Sequence, residues 1–112
     1  MKIAVPTEDG MLCEHFGRCE EFAFFDVDEA SGNIINSETV PAPEHEPGLL
    51  PRWLKDLSVD VVIVGGIGPR AEALLAQNRI HVIAGAKRLP PEGLVRSYLE
   101  GSLQREQNIC DH

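Results

Sequence analysis

Residues 13–19 read CEHFGRC, and the chain closes with NICDH. Thiolate and imidazole are the ligands that zinc, copper and iron–sulfur clusters select. Cys13, His15, Cys19, Cys110 and His112, with His45 on a Pro- and Gly-rich stretch, therefore form the candidate metal-ligand set. The spacing Cys-x-His-x-x-x-Cys is neither a zinc-finger nor a ferredoxin signature, so the residue types point to metal chemistry without naming the metal. Two rival readings stay open. Cys13 and Cys19 could form a thiol redox couple, although they lack the Cys-x-x-Cys spacing that lowers a thiol pKa. They could equally be small apolar packing residues, with His45 a plain loop residue.

A second stretch, Val64-Gly65-Gly66-Ile67-Gly68-Pro69-Arg70-Ala71, carries an apolar strand through glycines into a helix that starts at Pro69. Such a turn aims backbone N–H groups and the positive end of a helix dipole at one point, and Arg70 adds a forked donor. Gly66, Gly68 and Arg70 are thus candidate contacts for an anionic ligand. The stretch also fits G-x-G-x-x-A, but a dinucleotide site needs an acid about twenty residues on, where this chain has Ala86-Lys87-Arg88. Tight strand-to-helix packing with no ligand is the competing account.

The elements that must position these residues follow from periodicity. Lys2 to Val5 is an opening strand stopped by Pro6. Glu21 to Asp28 and Asn33 to Val40, either side of the turn Ala30-Ser31-Gly32-Asn33, form a hairpin. Leu49, Leu50, Trp53, Leu54 and Leu57 share one helix face. Val61 to Val64 is a strand buried on both faces. Pro69 to Asn78, His81 to Ala84 and Pro91 to Leu99 follow as helix, strand and helix. The order β-β-β-α-β-α-β-α predicts an α/β layer with a five-stranded mixed sheet and helices on both faces. Residues 1–101 are read as one domain, and 102–112 as a polar tail carrying Cys110 and His112.

The 112 residues suit one domain, and a formal net charge of −8 argues against a nucleic-acid partner. The opening strand Lys2 to Val5 holds no acid, which disfavours a two-metal nuclease. The longest apolar run, Val61 to Val64, excludes a membrane-spanning helix, and the opening residues have no signal-peptide core, so the expected location is cytoplasmic. Three cysteines in a reducing compartment do not suggest structural disulfides.

Taken together, Leu12 to Cys19 with Phe22, the segment His45 to Leu54, the loop Gly65 to Ala71 and the ending Cys110-Asp111-His112 resemble the dinitrogenase iron–molybdenum cofactor biosynthesis family of NifX-like domains. His15, Phe16 and Gly17 match the motif shared across that family. Cys13, Cys19, Cys110 and His112 match one stand-alone subgroup. The resemblance implies a ribonuclease H-like fold and a carrier of a metal–sulfur cluster, of iron–sulfur or iron–molybdenum type, with a cofactor-biosynthesis protein as partner. It implies no catalytic residue. A small thiol-redox protein and a regulatory binding module are the alternatives.

Overall fold

The computed structural model describes residues 1–44, 46 and 48–103. Six strands form one mixed sheet: β1 (Lys2–Glu8), β2 (Met11–Leu12), β3 (Glu21–Asp28), β4 (Asn33–Pro41), β5 (Val61–Ile63) and β6 (His81–Ile83). The main path runs β4-β3-β1-β5-β6, with β2 paired to β1 off that path. The β4, β3 and β1 pairings are antiparallel, and β1, β5 and β6 are parallel to one another. The described residues also form three helices, α1 (Leu49–Asp56), α2 (Pro69–Gln77) and α3 (Pro91–Glu100).

The expected five strands are therefore six. Asp9 and Gly10 both adopt positive φ, 54° and 76°, and turn the chain so that Glu8 pairs with Met11 and Thr7 with Leu12. Nor does Pro6 end the first strand. The pairing to β5 stops at Ala4, so Pro6 lies beyond that ladder, while β3 continues alongside as far as Thr7. The first strand consequently does include an acid, Glu8.

Alternation along the strands sorts the core into two layers. Ala4, Phe22, Phe24 and Val62 face Leu50 and Leu54 of α1 and Leu75 of α2. Ile3, Val5, Phe25 and Ile63 face Leu94 and Val95 of α3. The sheet is thus covered on both faces. This explains why Val61, Val62 and Ile63 are all buried and show no polar alternation. The single tryptophan, Trp53, stands edge-on to Phe22 and Phe24, with ring centroids 5.4 and 5.8 Å away. That contact ties α1 to the centre of β3. β4 is an exposed edge, kinked where Ile35 bulges between Ile34 and Asn36, which pair with Val27 and Asp26.

Candidate functional site

Cys13, His15 and Cys19 lie on the segment between β2 and β3, which crosses the carboxyl ends of β1 and β5. A short 3-10 turn, Phe16–Arg18, sits in its middle. The buried Phe16 roots that turn in the core against Phe22. The glycine loop after β5 runs directly beside it. The Gly66 N–H donates to the Glu14 carbonyl at 2.7 Å, and the Phe16 N–H donates to the Gly66 carbonyl at 3.0 Å. His15 and Gly66 pair as an isolated parallel bridge. The two stretches singled out from sequence are therefore hydrogen-bonded neighbours, although about fifty residues of chain separate them.

The seam between them has an opening on each side. A cleft of about 320 Å³ is lined by Glu8, Cys13, Glu14, His15, Arg18 and Arg88. A larger one of about 540 Å³ is lined by Phe16, Gly17, Glu46, Gly48, Leu50, Pro51, Gly68, Arg70, Ala71 and Leu74. The smaller cleft holds the thiol and imidazole. The larger has mostly apolar walls, with Arg70 and the amino end of α2 at its edge. Helix α2 has Gly68 as its N-cap, Pro69 in its first turn and no side-chain cap. The Gly66 N–H is taken by Glu14, and Gly66 serves the seam rather than an anion.

Cys13 and Cys19 are free thiols, each only 2 % exposed. The Cys13 Sγ donates to the His15 carbonyl at 3.3 Å and, at 3.9 Å, approaches a Glu8 carboxylate oxygen. The Cys19 Sγ donates to the Phe16 carbonyl at 3.4 Å and lines neither cleft. Burial pushes both thiols up, and Glu8 and Glu14 push Cys13 further, against the pull of Arg88. Cys19, buried and beside Cys13, is pushed up to about 12. Both are neutral at pH 7. Among the described residues, no group of three or more His, Cys, Asp and Glu side chains is gathered to hold a metal ion. His45, Cys110 and His112 lie outside the described residues.

Sequence reasoning passed over two participants. Glu8 reaches the cleft because β1 runs past Pro6. Arg88 reaches it from the loop after β6. Its Nη1 donates to the Leu12 carbonyl at 2.9 Å, and its Nη2 donates to the Glu8 carbonyl at 3.4 Å. No local pattern marks a contact 76 residues away in the chain.

The family described as dinitrogenase iron-molybdenum cofactor matches residues 1–101. MJ0580, an uncharacterised protein of Methanocaldococcus jannaschii, is 32% identical over 110 residues, covering 94% of this chain and 91% of that protein. The crystal structure of PH0822 is similar at a TM-score of 0.88 and 30% identity, covering 96% of each chain. The apo form of the orange protein from Desulfovibrio gigas is similar at a TM-score of 0.72 and 26% identity, covering 96% of this chain and 93% of that one.

Proposed function

Since the chain belongs to the dinitrogenase iron-molybdenum cofactor family, we propose that it binds a metal–sulfur cluster, of iron–sulfur or iron–molybdenum type, as cargo and passes it to a cofactor-biosynthesis partner. The observation that carries the reading is the seam itself. Paired backbone bonds between Glu14, Phe16 and Gly66 put a thiol–imidazole cleft and an Arg70-edged cleft side by side. Soft ligands on one side suit the metal ions of such cargo. Donors on the other, Arg70 and the first N–H groups of α2, suit its negative charge. A relative at 26% identity is described as an apo form, which is consistent with a protein that takes up a ligand. The order β4-β3-β1-β5-β6 fits a ribonuclease H-like assignment of the fold.

In this reading Cys13 and His15 take the metal, while Arg18 and Arg88 offset charge at the rim. Gly68 and Arg70 receive the far side of the cargo. His45, Cys110 and His112 complete the ligand set; Cys19, buried and lining neither cleft, is left out of it. Thiols pushed up by burial disfavour a thiol oxidoreductase, whose nucleophile needs a lowered pKa. A metal must displace the proton of each thiol it takes, so uptake releases acid. No bond is made in the cargo, and no side chain is assigned a catalytic role.

The test is anaerobic purification followed by reconstitution with iron, sulfide and molybdate. Metal, sulfide and the visible spectrum are measured before and after. Charge-transfer bands in the wild type that vanish when Cys13 and Cys110 become alanine support a carrier. A protein that stays colourless and metal-free sinks it.

A further inference from the structure

Cys13 sits on a thin support. Its strand, β2, is two residues long and pairs with β1 only through Met11 and Leu12. Two further backbone bonds reach this segment: the Cys13 N–H donates to the Pro6 carbonyl at 2.9 Å, and the Leu12 N–H donates to the Leu89 carbonyl at 3.0 Å. β1 is held by β3 and β5 and Leu12 is buried, so the hairpin's own contribution is a fixed β1 and a buried Leu12, and the remaining restraint on where the thiol stands comes from the loop after β6.

We propose that Arg88 is the positioning residue for Cys13: its guanidinium latches the β1–β2 hairpin to the loop after β6 and so fixes the thiol in the wall of the smaller cleft. The fork grips both strands of the hairpin at once, taking the Leu12 carbonyl on one and the Glu8 carbonyl on the other. Each grip acts on Cys13 from a different side. Leu12 is its chain neighbour. Glu8 is the residue whose carboxylate lies 3.9 Å from the Cys13 Sγ. A planar fork can hold two carbonyls in a fixed relation, which an ammonium cannot reproduce. The Leu89 carbonyl, next in the chain, receives the Leu12 N–H, so latch and backbone bond close one loop onto another. Ligands held in place before the cargo arrives bind it with less ordering cost.

This inference rests on reading Cys13 as a ligand, and its test is separable from that reading. The full-length protein, free of metal, is treated with iodoacetamide, and labelling of each cysteine is followed by mass spectrometry. Arg88→Gln raises the labelling rate of Cys13 by about tenfold or more, the size of a lost local restraint, while Cys19 keeps its protection. Arg88→Lys, which keeps the positive charge but has one donor group in place of the fork, also raises the Cys13 rate, and so separates the restraint from the charge. Cys13 labelling at the wild-type rate in both variants overturns the latch. So does a parallel rise at Cys13 and Cys19, which reports general loosening. If Arg88→Gln does not fold, Arg88→Lys alone must raise Cys13 labelling and spare Cys19; failure to do so is equally decisive. A latch that passes while reconstitution yields no bound metal leaves Arg88 in place and removes the carrier reading.

Discussion

A Cβ added at Gly65 would stand 3.1 Å from the Glu14 carbonyl oxygen and 3.6 Å from that of Ala86. Neither oxygen belongs to a flexible side chain, and the Glu14 oxygen is already held by the Gly66 N–H. Gly65→Ala should therefore cost about 1–3 kcal/mol, the usual result of overpacking, and should push the two loops apart. Gly17→Ala meets nothing within 4 Å and serves as the control. Urea denaturation of both variants checks this, and equal stabilities would refute it. The thiols allow a second prediction. Cys19 ionises at 9.0 when unperturbed and at about 12 here. Its neutral form is the folded one, so its contribution is whole below pH 9.0 and is lost as pH rises toward about 12. The expected decline is at most about 1.4 kcal/mol per pH unit. The stability gap between wild type and Cys19→Ala should narrow as pH rises from 9.0 toward about 12; a constant gap contradicts the assignment. At this scale the sequence disclosed residue types well and neighbours poorly. Cys13 and His15 stand out in CEHFGRC, but nothing there says that Cys19 turns inward or that Gly66 bonds to Glu14.

Helix α1 ties the larger cleft to the core. Leu54 is fully buried, while Leu50 and Pro51, one turn earlier, form cleft wall. Leu54→Ala should cost about 2–5 kcal/mol and weaken any ligand that fills that cleft. Leu75→Ala, at the fully buried position of α2, should cost a similar amount. Thermal melts with a binding titration check the pair, and a Leu54 variant that melts like wild type would show that α1 is not anchored this way. Helix α1 and strand β5 were legible because each carries a pattern, a helical period in α1 and an unbroken apolar run in β5. The face Leu49–Leu50–Trp53–Leu54–Leu57 and the run Val61–Ile63 need a covered sheet whatever else the chain does. Strand β2 carries no period, being two residues long. Its signal is the turn: Asp9-Gly10 is the dipeptide a two-residue hairpin favours, because both positions take positive φ. The extension of β1 through Pro6 had no such mark, since proline is excluded only where a ladder needs its N–H.

The path of α3 bears on how the whole molecule could close around a cargo. The helix begins just after Leu89, which bonds Leu12 beside Cys13. It then runs away from that point for 10 residues, about 15 Å of axial rise, and Leu103 packs on the α3 side of the sheet. From Leu103, Cys110 is seven positions further along the sequence, a reach of at most about 25 Å when fully extended. For Cys110 to meet Cys13 of its own chain, the seven residues after Leu103 must be ordered, at a cost in conformational entropy. Cys13 and His15, already placed on one cleft wall, carry no such cost. Alanine at Cys13 should therefore lower bound metal by about tenfold or more, whereas alanine at both Cys110 and His112 should lower it by only about threefold. Metal content after reconstitution and desalting decides this, and equal losses in the two variants would contradict it. Mixing the two variants locates the tail's partner. If the tail serves its own chain, the mixture carries the average of the two loads at every protein concentration. Recovery toward the wild-type load, growing with concentration, would mean that one molecule's Cys110 and His112 complete the site on another.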